Sequence, residues 1–350
     1  MLTNQRVIIS DMYRQSKVPT VSALQLTLVA IIAVLFGAPA PVTAVQISKP
    51  VEISNKYRIG DHVMGVRLLG TLQLDHKKIN ELNARELSGL AWDADANLLY
   101  AVSDGGFLCH LRPRFEHSVL INVDMVAAYP LLTHGGHSLM GNHADSEGLA
   151  IRNGDNQIDD DAELLISFEI NPRVLRYHPD GKLIGDEDIP TKLTHIANYA
   201  GENDALEGIT LDQNQKLLTA PQRPLRQDDQ SLLSVYSTGQ APWFFRPIDP
   251  RYSSVVGMET TPSGDILILE RRYSSLFKPV IWAVRRINLN NNLPLRKVDE
   301  IWTLTNKGST WNVQNFEGIA HHQDNKYFMV SDDGHNAIQR TLLVYFEILK

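Results

Sequence analysis

Five glutamates recur along the chain, each just before a short apolar segment, and successive ones are separated by 61, 60, 52 and 58 residues. These residues are Glu86, Glu147, Glu207, Glu259 and Glu317. In most repeats a second apolar segment follows and ends in an acidic residue, whereas the third repeat has Gln222 there. Carboxylates that converge at this density repel one another unless a cation or an arginine neutralises them. The recurrence therefore predicts a cation site.

The donor chemistry indicates which cation to expect. Carboxylate oxygens without a Cys/His cluster favour calcium, and magnesium less so, over softer metals. The sequence contains no EF-hand loop, so the prediction of Ca²⁺ depends on carboxylate density alone. The predicted ligands are Glu86, Asp104, Glu147, Glu169, Glu207, Glu259, Glu270, Glu317 and Asp332. The alternative is structural, with each glutamate accepting hydrogen bonds from backbone amides of the next repeat.

Arginines form a second recurring group. Arg173, Arg223 and Arg271 each follow, by one to four residues, the polar residue that ends the second apolar segment. A guanidinium group binds phosphate or carboxylate through two parallel hydrogen bonds. The predicted catalytic set is Glu147, Glu207, Arg173, Arg223 and Arg271, acting on an anionic or ester small molecule. The alternative is that each arginine only pairs with a neighbouring carboxylate.

Other reactive residues give weaker signals. His134, His137 and His143 lie in a glycine-containing segment whose spacing permits metal binding but is more typical of a solvated lid. The chain has one cysteine, Cys109, which excludes an intramolecular disulfide and a multi-cysteine zinc site. No G-x-S-x-G, P-loop or G-x-G-x-x-G motif is present, so serine-based acyl transfer has no local sequence support.

The same repeats define the elements that must carry these residues. Each repeat consists of a short apolar strand, a turn and a second apolar strand, and most repeats continue with two further candidate strands. Recurrence every 50–60 residues without helical periodicity predicts an all-β protein, a β-propeller whose first strands line a central channel. Five blades follow from the count, and a sixth, irregular blade stays open. The last repeat lacks one strand, so we predict that Val66–Leu74 completes it and closes the ring.

Composition and the N-terminus limit the class of protein. The chain has 350 residues and a formal charge of −7, which argues against nucleic-acid binding. Residues 1–44 are predicted as a secretory signal peptide, because a basic segment precedes a short apolar run and a cleavage site after Ala44. The run is too short for a membrane span, so we expect no stable span after cleavage and a periplasmic or secreted protein. Residues 45–65 are predicted as an N-terminal extension and residues 66–350 as the propeller domain.

The repeats resemble those of a known family. The segments ELSGLAWD, DSEGLAI, DALEGITL, ILILERRY and NFEGIAHH look like the phytase-like domain family, exported bacterial β-propeller proteins also described by an esterase-like activity of phytase. The resemblance covers residues 66–350. The third repeat departs from the family pattern, because Gln222 stands where an acidic residue is usual. The resemblance also implies a set of site residues. These are Glu86, Asp104, Glu147, Glu169, Arg173, Glu207, Glu259, Glu270, Arg271 and Glu317.

The resemblance implies a calcium-assisted hydrolase of phosphoesters or other esters. Two other functions stay open, a metal-dependent lactonase and a non-catalytic propeller that binds a ligand or a partner protein. A fold of this kind hosts both catalytic and binding roles, so the architecture alone does not choose between them.

Overall fold

A computed structural model describes residues 44–275, 278–289, 293–334 and 339–349. The predicted signal peptide lies outside the described residues, Ala44 excepted. Within these ranges the chain folds as strands, with no α-helix and with no helix long and apolar enough to cross a bilayer. Its helical segments are single 3₁₀ turns at Gly141–His143, Thr191–Leu193, Ile196–Asn198 and Lys307–Ser309. The all-β prediction is confirmed.

The strands of the described chain form five antiparallel blades, and the first strand of each blade lies nearest the central axis. The first blade contains Leu87–Asp93, Leu98–Ser103, Phe107–Glu116 and Val119–Pro130, with Val45–Gln46 on its outer edge. The second contains Ser146–Arg152, Glu163–Phe168, Arg173–Tyr177 and Leu183–Glu187. The third contains Leu206–Leu211, Leu217–Pro221, Leu233–Val235 and Trp243–Phe245, with Leu295–Arg296 parallel to its last strand. The fourth contains Ser253–Thr260, Ile266–Arg272, Ile281–Ile287 and Val298–Thr305.

The fifth blade closes the ring with strands from both ends of the described chain. It contains Asn315–Gln323, Lys326–Asp332, Leu342–Ile348 and Val66–Leu74, with the short strands Ser48–Pro50 and His62–Val63 paired to the last of these. In this closure Val344 lies opposite Thr71, and the pairing is antiparallel. The predicted closure by Val66–Leu74 and the predicted count of five blades are confirmed. A separate short hairpin pairs Lys78–Ile79 with Leu82–Asn83.

Hydrophobic packing holds neighbouring blades together. Five clusters of buried side chains occur in the described chain, and each joins one blade to the next around the ring. Between the first and fifth blades, for example, Leu90 and Leu99 pack with Phe328 and Leu343. Burying one such side chain contributes about 1.5–3 kcal/mol. The clusters therefore fix the first strands around the axis, where a functional site would use them.

Close approach of the first strands requires glycine at one position in every blade. These glycines are Gly89, Gly148, Gly208, Gly257 and Gly318. A Cβ atom at Gly148 would lie 2.3 Å from the backbone oxygen of Glu207, and one at Gly257 would lie 2.3 Å from that of Glu317. A side chain at either position would push neighbouring strands apart. The glycines thus set how near to the axis the preceding residues lie.

Candidate active site at the acidic end of the channel

The first strand of every blade begins, and the second ends, at the same end of the central channel. In each blade the register of these two strands is interrupted at the residue before the inner glycine. An interruption of this kind, a β-bulge, redirects a side chain. The bulged residues form an inner ring, which comprises Ser88, Glu147, Glu207, Val256 and Glu317.

An outer ring surrounds the inner one. In each blade the residue just before the bulge pairs with a residue of the second strand, and the residue that follows this partner belongs to the outer ring. The outer ring comprises Asp104, Glu169, Gln222, Arg271 and Asp332. We call the two rings together the acidic mouth. It contains six carboxyl groups and one guanidinium group. Six of the nine predicted ligands, Asp104, Glu147, Glu169, Glu207, Glu317 and Asp332, therefore lie together.

The other three predicted ligands do not occupy ring positions. Glu86 lies two residues before the bulged Ser88, on the rim of the mouth, where its charge helps to raise the pKa of Asp104. Glu259 lies three residues beyond the bulged Val256, toward the opposite end of the channel. The expected equivalence of the five glutamates is therefore corrected, because serine and valine take the bulge in the first and fourth blades.

Glu270 requires a separate correction. It is fully buried, its carboxylate accepts the backbone N–H of Ile248 at 2.7 Å, and it forms an ion pair with Arg285. The next residue, Arg271, takes the ring position of the fourth blade. Successive side chains of a strand point to opposite faces. Glu270 therefore lies in a structural ion pair, whereas the next residue, Arg271, lies at the mouth.

Hydrogen bonds that join the two rings within single blades orient two of the six carboxyl groups of the acidic mouth. The Ser88 hydroxyl donates to Asp104, and the Gln222 amide donates to Glu207. In both cases an outer-ring residue and an inner-ring residue of one blade are joined. The serine and the glutamine therefore hold the nearby carboxyl groups in defined orientations.

The guanidinium group links two blades. Arg271 Nη1 lies 3.3 Å from Glu317 Oε1 and donates to Asn315 Oδ1 at 2.8 Å. The Asn315 amide in turn donates to Glu317 at 2.7 Å and to Asp332 at 3.3 Å. One positive charge is thus shared across the fourth and fifth blades. It offsets only part of the negative charge of the mouth.

The second blade provides the clearest candidate for a cation site. Ligand oxygens of Asp145, Glu147 and Glu169 all lie within 4.8 Å of one another. Glu147 is 8% exposed, and its carboxyl group has no hydrogen bond or ion pair with any described residue. Glu169 accepts one backbone N–H, from Ala205 at 3.3 Å. An unpartnered buried carboxylate is costly, and a coordinated cation would remove that cost.

The electrostatics of the mouth support this interpretation. Burial raises the pKa of Glu169, Glu207 and Glu317 to about 8 each, and neighbouring carboxylates add to each shift. Burial, followed by repulsion from Glu207, raises the pKa of Glu147 well above its ordinary value. The pKa of Asp104 is raised in the same way, by burial and by Glu317. A cation held by Glu147 and Glu169 would favour the ionised forms of these two ligands.

The three predicted arginines do not act as one group. Only Arg271 contacts a carboxylate of the two rings. The Arg173 guanidinium lies over the Phe168 ring at 4.1 Å and donates to the backbone oxygen of His143 at 2.8 Å. Arg223 forms an ion pair with Asp204 at 3.1 Å.

Two residues at the site were missed by the sequence analysis. Asp145 and Asn315 lie two residues before the bulged glutamates of their blades, as Glu86 lies two residues before Ser88. The signal that could have found them is this i, i+2 spacing ahead of the inner glycine. Cys109 and His134 do not belong to the mouth. Cys109 is buried in the core, and His134 is an exposed residue of the loop before the second blade.

Comparison with known proteins identifies the family. Residues 83–335 match the phytase-like family, described as having an esterase-like activity of phytase. The chain belongs to the phytase-like family. The matched range contains both rings of the acidic mouth and the inner glycines. No curated protein matches the sequence.

Solved structures similar to this phytase-like chain are distant. The PQQ-bound aldose sugar dehydrogenase of Streptomyces coelicolor is 12% identical, with 76% of this chain and 95% of that chain covered and a TM-score of 0.39. A gluconolactonase of Xanthomonas campestris is 13% identical, with 89% and 99% covered and a TM-score of 0.40. Sqt1 of Saccharomyces cerevisiae is 9% identical, with 88% and 100% covered and a TM-score of 0.35. Similarity at this level does not identify an activity.

Proposed function

We propose that this phytase-like propeller is an exported, divalent-cation-dependent hydrolase that cleaves ester bonds at the acidic mouth. The observation that carries the proposal is the Glu147 carboxyl group, which is buried among other carboxyl groups without a hydrogen-bonding partner in the described chain. Export is part of the proposal because residues 1–44 have the composition of a secretory signal peptide.

The chain offers suitable donors for a cation. Asp145, Glu147 and Glu169 would hold it, and calcium fits best because all three supply carboxylate oxygens. When bound, a divalent cation polarises the scissile carbonyl or phosphoryl oxygen and lowers the pKa of a water molecule. The remaining steps depend on the side chains that surround these three residues.

Two further residues have defined chemical roles in this proposal. Glu207, oriented by the Gln222 amide, would accept and return a proton, since its raised pKa of about 8 lies near neutral pH. Arg271, held by Glu317 and Asn315, places a fixed positive charge at the same mouth. That charge would stabilise negative charge developing on the substrate oxygen in the transition state.

The charge balance favours a neutral substrate. Six ring carboxyl groups face a single ring arginine, because Arg173 and Arg223 have other partners. One divalent cation would leave a fully ionised mouth negatively charged, which opposes the binding of a phosphate monoester. A carboxylic ester or a lactone carries no such penalty. A phosphoester is the second candidate; Arg271 favours it, but it would need more than one cation to neutralise the mouth.

The experiment compares three substrates on one preparation. Hydrolysis of p-nitrophenyl acetate, a sugar lactone and p-nitrophenyl phosphate is measured with calcium, with magnesium and with EDTA. We expect calcium-dependent turnover of the ester or the lactone, and loss of that turnover in the double variant Glu147→Gln/Glu207→Gln. Glu81→Gln is the matched control because Glu81 is exposed and lies outside the rings.

The outcomes separate the candidate functions. Turnover of the aryl phosphate alone would favour the phosphoester reading. Unchanged turnover in the double variant would refute the assignment of the site. Calcium binding without turnover of any substrate would instead support a non-catalytic ligand-binding propeller.

A further inference from the structure

A second cavity lies at the opposite end of the channel, where the first strands end and turn toward the second strands. Its volume is about 330 Å³, within the range of small-molecule sites. All five blades contribute to it. The polar and aromatic residues that line it include Trp92, Asn153, Thr210, Gln215, Glu259, Thr260 and His321. We call it the distal cavity.

The charge of the distal cavity differs from that of the acidic mouth. Among the described residues no lysine or arginine lines it, so an anionic ligand would find no counter-charge there. Of its three acidic residues, Asp212 is engaged by the backbone N–H groups of Asn214 and Lys216, at 2.8 and 2.9 Å. Asp155 is exposed to solvent. The third, Glu259, lies among hydroxyl and amide groups.

The Glu259 carboxyl group can form hydrogen bonds with a hydroxyl group of a ligand. Its Oε1 accepts the backbone N–H of Thr260 at 2.8 Å. Burial raises its pKa to about 7, so near neutral pH both the protonated and the ionised forms are populated. A carboxyl group in that state both donates and accepts. A hydroxyl group of a ligand can accept a hydrogen bond from the protonated carboxyl group and donate one to the ionised carboxylate.

His321 adds an acceptor to the cavity. Its Nε2 lies 2.9 Å from the carbonyl oxygen of Asp324, so this nitrogen carries the proton and donates it. Burial lowers the pKa of the imidazole, which therefore stays neutral at pH 7. The other ring nitrogen, Nδ1, is then an acceptor without a proton.

Trp92 supplies an apolar surface and a donor. It is half-buried and meets His322 edge-to-face, with ring centroids 4.5 Å apart. Its indole N–H has no hydrogen-bonding partner in the described part of the chain, although the residue lines the cavity. Thr260 contributes a hydroxyl 3.1 Å from that of Thr210. A flat apolar surface next to neutral donors and acceptors suits a sugar ring, which has C–H faces and hydroxyl edges.

We propose that the distal cavity binds a neutral polyhydroxylated molecule, a monosaccharide or a cyclic polyol. Trp92 would contact the C–H face of the ring, and Glu259, Thr260, Gln215 and His321 would bond its hydroxyl groups. The site is separate from the acidic mouth, so its occupancy does not require ester hydrolysis. An organic cation is the competing ligand class, and an anion is disfavoured because no lysine or arginine of the described residues lines the cavity.

Binding of defined probes tests the proposal. Isothermal titration and ligand-observed NMR are carried out with D-glucose, D-galactose, D-mannose and myo-inositol, and with choline and inorganic phosphate for comparison. We expect one saturable site for at least one neutral probe, and none for phosphate. Thr260→Val removes one hydroxyl at nearly constant volume, and Trp92→Phe removes the indole N–H while keeping an aromatic ring. Each should weaken binding by about tenfold, the loss expected for one hydrogen bond of about 1.4 kcal/mol.

Controls separate this proposal from that for the acidic mouth. Glu147→Gln should leave sugar or polyol binding unchanged, and Thr260→Val should leave ester hydrolysis unchanged. Far-UV circular dichroism and thermal melting verify that each variant is folded. Absence of binding for all four neutral probes would overturn the proposal, as would preferential binding of choline or unchanged affinity in both distal variants.

Discussion

The raised pKa values of the acidic mouth predict how stability depends on pH when divalent cations are removed. Glu169, Glu207 and Glu317 have folded-state pKa values of about 8, against 4.5 for the ordinary group. The folded protein therefore retains protons that the unfolded chain has lost over the range between these values. The contribution of these groups to stability in EDTA is complete below about pH 4.5 and falls as the pH rises toward 8.

The magnitude follows from the number of protons retained. Each retained proton costs about 1.4 kcal/mol of unfolding free energy per pH unit. The three groups repel one another and do not titrate independently, so one proton is a conservative count. From pH 5 to pH 8 the loss is then about 4 kcal/mol. At roughly 2–4 °C per kcal/mol, the Tm should fall by about 10 °C.

Calcium should oppose this loss, because it binds the ionised carboxylates. At a concentration one hundred times its Kd, a ligand of the folded state adds about 2.7 kcal/mol. Glu147→Gln removes the unpartnered carboxylate, so in EDTA at pH 8 this variant should be at least as stable as the wild type. It should also respond less to calcium. A substitution that does not destabilise the cation-free protein yet abolishes its calcium response is hard to explain by general damage.

Thermal melting at pH 5, 6.5 and 8, in calcium and in EDTA, measures these effects. The wild type, Glu147→Gln and the surface control Glu81→Gln are compared at each pH. A wild-type Tm in EDTA that stays constant or rises from pH 5 to pH 8 would refute the electrostatic reasoning. Equal stabilisation of Glu147→Gln and the wild type by calcium would refute the assignment of the cation ligands.

Three further predictions concern single positions. Gly148→Ala should lower the free energy of unfolding in urea by about 1–3 kcal/mol, since its Cβ would meet the Glu207 backbone oxygen at 2.3 Å. Gly135→Ala, whose nearest neighbour is the exposed side chain of His137, should change it little. Glu270→Gln should cost about 3–5 kcal/mol by breaking the buried pair with Arg285, yet calcium affinity measured by titration should persist. Arg271→Ala should reduce ester turnover by about 100-fold or more, whereas Arg173→Ala and Arg223→Ala should reduce it by less than about tenfold in the same assay.

The fold was predictable because its repeats are periodic and its strands are short and apolar. The spacing of the repeats predicted the number of blades and their β-strands, and the unpaired segment Val66–Leu74 predicted how the ring closes. The inner ring was predictable only where a glutamate stands directly before the inner glycine, as in Glu147, Glu207 and Glu317. In the other two blades the bulged residue is Ser88 or Val256. Aligning the five repeats on their glutamates therefore selects residues outside the inner ring in these two blades.

Residue type alone also fails to reveal which face of a strand a charge occupies. Glu270 and Arg271 are adjacent in sequence, but one is buried in an ion pair with Arg285 and the other reaches Glu317. The difference is set by the register of Ser253–Thr260 against Ile266–Arg272, which includes the bulge. A bulge inserts one residue into a strand and so changes the face on which the following side chains lie. The alternation of residue types along the sequence does not reveal this change until the strand pairing is known.

Blade packing and charge are coupled in this fold. The inner glycines let the first strands approach closely, and the bulge beside each glycine turns the preceding side chain toward the channel. Tight packing therefore brings Glu147, Glu207 and Glu317 together, although their mutual repulsion opposes it. In the absence of a cation, the repulsion that Arg271 does not offset is relieved by retaining protons. Cation binding at the acidic mouth should consequently stabilise the closed ring, and ester hydrolysis and thermal stability should depend on the same ion.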